Sequence, residues 1–131
     1  MALVVLAING VLVGGWALFA PRSFYDDFPG AGHHWVSVDG PYNEHLVRDV
    51  GAFYLALGVL ALGALLWKSV VGARLAGVAW LVFSVPHLVY HLRHRDGLGT
   101  GDVIANAAAL AIPIVAAVAT LWPSSPKGSD R

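Results

Sequence analysis

The sequence has no cysteine and little charge. Its 131 residues include no cysteine, which excludes disulfide bonds, thiol nucleophiles, thiolate metal sites and covalent c-type haem attachment. Charged residues make up 12% of the chain, about half of the roughly 25% found in ordinary soluble domains. Hydrophobic residues reach 57%, so few charges remain to cover the apolar surface of a soluble fold. The composition therefore indicates a membrane protein, and the lipid bilayer is its expected surrounding and partner.

The sequence also lacks the marks of several large function classes. Its formal net charge is zero, whereas nucleic-acid binding needs a basic patch, so no nucleic-acid partner is expected. No P-loop pattern is present, and Ser84 stands outside any GxSxG motif, which argues against a nucleotide enzyme and against a hydrolase of that type. Catalytic residues are not assigned, and whether the chain is an enzyme stays open.

Four apolar stretches are long enough to cross a hydrocarbon core of about 30 Å as helices. They cover residues 2–20, 50–67, 75–92 and 103–122. The first lacks a basic segment before it, and Pro21 follows its one small-residue cleavage position, so we expect a retained span and not a signal peptide. The prediction is an all-α, integral membrane four-helix bundle: one domain over residues 1–122, followed by a polar, disordered tail at 123–131.

The connections between the spans predict how the helices meet. Those after the second and third spans are short, which favours antiparallel neighbours. Small residues four apart in the first two spans, Gly10 with Gly14 and Ala52 with Ala56, predict close helix packing within the bundle or along the seam of a homo-oligomer.

The loop between the first two spans is the exception to short connections. It runs from residue 21 to 49 and is rich in aromatic side chains, so we expect it to be structured. Residues 35–38 alternate in polarity, which predicts a short extended segment. Asn43 is the expected N-cap of the second long helix.

All six histidines are expected on one side of the membrane. Four spans place both termini on one side and the first and third loops on the other, here called the loop face, and every histidine belongs to the loop face. Lys and Arg number four on each side, so the positive-inside rule does not orient the chain. Arg48 and Arg95 have acidic neighbours, which favours cytoplasmic termini in a bacterial plasma membrane.

The end of the third span contains three of these histidines. His87, His91 and His94 are spaced i, i+4 and i+7, which places them on one helical stripe. Pro86 directly precedes them and removes a helical hydrogen bond, which predicts a kink or an opening beside His87. This stripe is the first half of the predicted site.

The start of the second helix supplies the other half. His45 and Asp49 are four residues apart and share a face, while Glu44 and Arg48 have the spacing of an ion pair on the neighbouring face. Imidazole together with carboxylate is a ligand set that suits zinc or iron.

These two halves define the predicted functional site. We expect His45, Asp49, His87 and His91 to hold a metal or a proton, with His94 and Glu44 as further candidates; Asn106 is a potential hydrogen-bonding neighbour. The leading hypothesis is a small multi-pass membrane protein that binds a divalent transition metal, zinc or iron, and acts on a lipid-like molecule.

Two other functions are compatible with the same residues. One is a non-catalytic role, either as an accessory subunit of a larger membrane complex or as a proton- or solute-handling protein with a polar path along Asp49, His87 and Asn106. The other is b-type haem held by His45 together with His87 or His91.

One stretch of the second span resembles a known group. The residues Arg48–Gly58, an acidic-basic pair followed by a Gly-rich span, and Phe19-Ala20-Pro21 before the long loop resemble the small bacterial four-helix membrane proteins called DoxX-like. The resemblance implies the four-span layout, and some members of that group are associated with respiratory or redox assemblies. It implies no catalytic residue.

Overall fold

The computed structural model describes residues 1–122, so the predicted disordered tail at 123–131 lies outside the described residues. Within that range the chain forms five helices and one small hairpin. The helices are α1 (Ala2–Phe19), α2 (Pro21–Asp27), α3 (Glu44–Leu66), α4 (Val70–Arg93) and α5 (Thr100–Leu121). The hairpin pairs β1 (Pro29–Gly30) with β2 (His33–His34) in antiparallel register, and a 3-10 turn follows at Ser37–Asp39.

Four of the five helices are long and apolar enough to cross a membrane, as the sequence predicts. The remaining helix, the short α2, lies in the segment predicted only as a loop. Three long helices, α3, α4 and α5, also begin earlier than their apolar stretches, and side-chain caps mark two of these starts. Asn43 Oδ1 accepts a hydrogen bond from Leu46 N at 3.1 Å, so α3 starts at Glu44, and Ser69 Oγ accepts from Gly72 N at 2.9 Å at the start of α4. Caps set these boundaries because they satisfy the first backbone N–H groups even where the first turn is polar.

Glycines let α1 and α3 approach at backbone distance. A Cβ added to Gly10 would lie 2.5 Å from Gly58 Cα, and one added to Gly14 would lie 2.4 Å from Leu55 N. The predicted packing role of Gly10 and Gly14 is therefore confirmed, whereas Ala52 and Ala56 are exposed. We call this contact between α1 and α3 the glycine seam.

The four long helices close into a ring. The most extensive contacts join α1 to α3 and α4 to α5, and smaller ones join α3 to α4 and α1 to α5. Trp80 and Leu6 are fully buried in the shared core, where Trp80 Nε1 donates to Leu57 O at 3.2 Å. The outward faces carry exposed Val, Leu, Ile and Phe side chains on every long helix.

Residues 20–43 fold into a structured unit, here called the loop cap. Its hairpin turns through Ala31 and Gly32, whose φ angles of 54° and 81° are the positive values that a two-residue hairpin turn of type I′ requires. The rings of Trp16, Phe24 and Phe28 pack with centroids 4.7–5.8 Å apart. The predicted extended segment at 35–38 is wrong, because Ser37–Asp39 forms the 3-10 turn.

Candidate functional site

A cavity of about 380 Å³ lies between the long helices and the loop cap. This volume falls within the roughly 300–1,000 Å³ typical of small-molecule sites. Apolar and aromatic side chains make up most of its wall, among them Phe24, Tyr25, Phe28, Trp35, Val47, Val50, Tyr54, Tyr90, Leu110 and Pro113. The polar side chains on the wall are Asn9, Asp39, Asn43, His87, His91 and Asn106.

The first turn of α5 holds the loop cap over the bundle. Asp102 Oδ1 accepts a hydrogen bond from Trp35 Nε1 at 2.9 Å and lies 2.6 Å from His33 Nδ1. On the opposite side, Arg48 of α3 donates through Nη1 to Leu18 O at the end of α1. The cap is therefore tied to α5, and the end of α1 beside it is tied to α3, which positions the cap residues that line the cavity.

His87 and His91 face the cavity together. Their ring centroids are 4.8 Å apart, and the His87 ring stacks on Phe83 at 5.3 Å with an interplanar angle of 19°. His91 Nδ1 lies 3.8 Å from Asp39 Oδ2 in the loop cap. The long-range neighbours of this histidine pair thus include a carboxylate from the cap, which the sequence analysis did not select.

Burial perturbs the Asp39 carboxyl. Removal from solvent raises its pKa above the ordinary value, against smaller opposing effects from His91 and His94. The raised pKa means that the ionised carboxylate is less well solvated here than in water.

Two amides on the cavity wall have unsatisfied hydrogen-bonding capacity. Asn9 of α1 and Asn106 of α5 both line the cavity, and the Oδ1 atoms of both are buried with no partner among the described residues. Asn106 is only 6% exposed. A buried oxygen left without a donor costs about 1–3 kcal/mol, so each amide favours a bound group or water that can donate to it.

The predicted site residues separate into two groups. His87 and His91 line the cavity, but His45 and Asp49 do not; they pair with each other at 3.2 Å on the surface, with the His45 side chain 87% exposed. The predicted convergence of Asp49 with the histidines of α4 is therefore not observed. Helical spacing placed His45 and Asp49 on one face of α3, and tertiary packing turned that face away from the cavity.

The remaining predicted residues also serve local contacts. Glu44 Oε1 accepts from Arg48 Nε at 2.9 Å, as its spacing predicts. His94 is exposed, its Nδ1 lies 3.0 Å from Tyr90 O, and its ring stacks on Tyr90. Pro86 lies inside α4, which continues as a helix from Val70 to Arg93, so the kink or opening predicted there does not end the helix.

The structure does not support the predicted metal site. Over residues 1–122, no three His, Cys, Asp or Glu side chains come together in a group that could hold a metal ion. The haem pairing stays a prediction; His45 is exposed on α3, while His87 and His91 line the cavity.

Asn9 and Asp39 are polar cavity residues that the sequence analysis did not single out. Asn9 is the single amide within the apolar run of α1, and a polar group in such a run is costly unless it serves a contact or a site. That cost is a signal the sequence does carry. Asp39 has no comparable signal, since an Asp-Gly-Pro stretch reads as an ordinary turn.

Comparison of the chain with protein-family models, curated proteins and solved structures found no match. The DoxX-like resemblance therefore stays a prediction.

Proposed function

We propose that this chain is a small multi-pass membrane protein that binds a lipid-like small molecule between its helices and its loop cap. In this proposal α1, α3, α4 and α5 are four antiparallel membrane spans, and the loop cap lies at one membrane face. The observation that carries the binding role is the cavity of about 380 Å³, whose apolar wall includes two amides with oxygens that have no partner among residues 1–122.

The lengths and surfaces of the long helices support the membrane assignment. They contain 18 to 24 residues, which correspond to about 27–36 Å at helical rise, against a hydrocarbon core of about 30 Å. Large apolar side chains are exposed on the outside of the ring, for example Leu12, Phe53, Val82 and Val115. Soluble monomers rarely expose continuous apolar patches of more than a few hundred Å², whereas lipid covers them.

The chemistry of the wall supports a ligand with an apolar body and at least one hydrogen-bonding group. Aromatic and aliphatic side chains offer contact area, and the side-chain oxygens of Asn9 and Asn106 can accept hydrogen bonds from a donor group on the ligand. A small number of polar groups on an apolar wall is the usual arrangement by which a pocket fixes the orientation of its ligand.

Other roles stay predictions. They include action on the bound molecule, membership of a larger membrane complex or homo-oligomer, proton or solute handling, and a bacterial plasma membrane location with cytoplasmic termini. The binding proposal depends on none of them.

The experiment fills the cavity and leaves its surroundings unchanged. Ala109 lines the cavity, while Ala105, one turn earlier on α5, is exposed, so Ala109→Phe and Ala105→Phe add the same ring inside and outside. The protein is purified from the membrane fraction in an uncharged detergent, and its Tm is measured with 4-phenyl-1-butanol, a neutral probe. We expect the probe to raise the Tm of the wild type and of Ala105→Phe, because a ligand bound to the folded state stabilises it, and to leave Ala109→Phe unchanged.

A second filling variant, Leu110→Phe, covers the case in which Ala109→Phe does not fold. Equal probe responses in the inside and outside variants would refute the binding site. Recovery of the protein in the soluble fraction would refute the membrane assignment independently.

A further inference from the structure

One carboxylate and several neutral polar side chains, among them His87 and His91, line the cavity. Among the described residues that line it, Asp39 is the one with a formal charge, and no Lys or Arg contributes. The two orphaned atoms, Asn9 Oδ1 and Asn106 Oδ1, are oxygens with partial negative charge. A ligand that carries an anionic group would meet no Lys or Arg among these described lining residues, whereas a cation would meet the Asp39 carboxylate.

Aromatic rings surround the same space. Phe24, Tyr25, Phe28 and Trp35 line it from the loop cap, and Tyr90 lines it from α4. The face of an aromatic ring is the negative side of its quadrupole and attracts cations, and cages of such rings bind quaternary ammonium groups.

The loop cap already contains one example of this attraction. On the cap, the Arg22 guanidinium carbon lies 4.9 Å from the Tyr42 ring centroid and 5.8 Å from that of Tyr25. Arg22 is itself ion-paired with Asp26 at 2.6 Å and is not among the cavity-lining residues. The cation that would suit the rings on the cavity side must therefore come from a ligand.

We propose that the cavity takes an organic cation with an apolar body, whose positive charge lies at the cap end beside Asp39 and the aromatic rings. This inference rests on the proposed binding function and specifies the charge of its ligand. Asp39 reaches the cavity from the 3-10 turn and approaches His91 near the end of α4, which places the charge at the cap end. The apolar body extends along Val50 and Tyr54 toward Pro113 in the bundle.

The test compares three probes of nearly equal shape. Benzyltrimethylammonium is the cation, neopentylbenzene is its uncharged carbon isostere, and phenylmethanesulfonate is an anion with the same ring. Dissociation constants are obtained from the dependence of Tm on free probe concentration, with purified full-length protein in an uncharged detergent. We expect the ammonium probe to bind about tenfold more tightly than its isostere and the sulfonate to show no stabilisation.

Variants assign the preference to the named groups. Asp39→Asn should weaken ammonium binding about tenfold and leave neopentylbenzene unchanged, whereas Asp27→Asn, which removes an exposed cap carboxylate that does not line the cavity, should alter neither. Tyr90→Leu removes a ring but keeps an apolar side chain, and should weaken ammonium binding about threefold.

Each outcome decides a different question. If both the cation and its isostere bind equally, or the sulfonate binds best, the charge inference is overturned and the binding function stands. If Asp39→Asn and Asp27→Asn behave alike, the position assigned to the charge is wrong. If none of the three probes stabilises the wild type, and 4-phenyl-1-butanol also fails in it, the proposed binding function itself fails.

Discussion

The glycine seam and the cavity lie side by side on α1, yet they are built on opposite principles. Gly10 faces α3 with no room for a single added carbon, while Asn9, its neighbour in the chain, lines a cavity of about 380 Å³. The seam uses small residues to bring backbones together, which gains dispersion contacts. The cavity leaves empty space between bulky rings and contains polar atoms that have no partner among the described residues. Both features lower the stability of the fold. The seam therefore stabilises the fold, whereas the cavity is the feature on which the binding proposal rests.

The largest expected effect comes from the seam. Gly10→Ala places a Cβ 2.5 Å from backbone atoms of Tyr54 and Gly58, and backbone cannot move aside as a flexible side chain can. We expect a loss of about 3 kcal/mol in the free energy of unfolding, from overpacking, measured by denaturant titration in detergent.

Gly15→Ala is the matched control on the same helix. A Cβ at Gly15 meets no atom within 4 Å in the described part of the chain, so we expect stability to be unchanged or raised by up to about 1 kcal/mol through helix propensity. Equal losses in the two variants would remove the distinction between a closed seam and its open surroundings.

An intermediate effect, opposite in sign, is expected in the cavity. Asn106→Leu replaces a buried amide whose oxygen has no partner among residues 1–122 with an apolar side chain of similar size. Measured without added ligand, the variant should be more stable by about 1–2 kcal/mol, because the desolvation cost of the amide disappears. It should also lose affinity for 4-phenyl-1-butanol. A destabilised variant would mean that Asn106 supports the fold and does not serve a site.

The smallest effect concerns the pH dependence of stability. Because burial raises the Asp39 pKa above 3.8, the folded state holds this proton more tightly than the unfolded state does. Its contribution is therefore full below about pH 4 and is lost as pH rises through the folded pKa. The Asp39→Asn variant should not lose this contribution as pH rises, so it should be slightly more stable than the wild type at pH 7. Thermal unfolding should show the difference in stability shrinking toward pH 4.

Asp27→Asn is the control for this pH series, since it removes an exposed carboxylate of the same cap. A wild-type and an Asp39→Asn protein with parallel pH profiles would contradict the assignment of the pKa shift to burial of Asp39. Greater stability combined with weaker ammonium binding would instead show that Asp39 is retained at a cost to the fold.

Local features of the sequence predicted local features of the structure. Asn43 caps α3, Glu44 pairs with Arg48, and His45 pairs with Asp49. Each of these contacts joins residues three or four apart, and helical geometry alone places such residues together. The four long apolar helices follow in the same way from runs of hydrophobic residues.

The candidate site could be predicted only in part. The stripe of His87 and His91 follows from their spacing, and both residues line the cavity. Their neighbours do not follow from spacing. Asp39 is 52 residues before His91 in the chain numbering, and its approach depends on the hairpin and the 3-10 turn of the loop cap. The candidate site therefore includes Asp39, which no local sequence pattern marks. It does not include Asp49, which helical spacing favoured.

The amino-acid sequence by itself determined that the composition suits a lipid environment, because hydrophobic residues greatly outnumber charged ones. It also determined the number of long apolar helices and the contacts within each helix, because these depend on patterns that repeat every few residues. Tertiary structure alone decided which face of each helix turns inward. A rotation of α3 about its axis changes no local contact, but here it sends Gly51 and Gly58 to the seam and leaves His45 and Asp49 outside. The fit of glycine against glycine selects that rotation, and with it the residues that line the cavity.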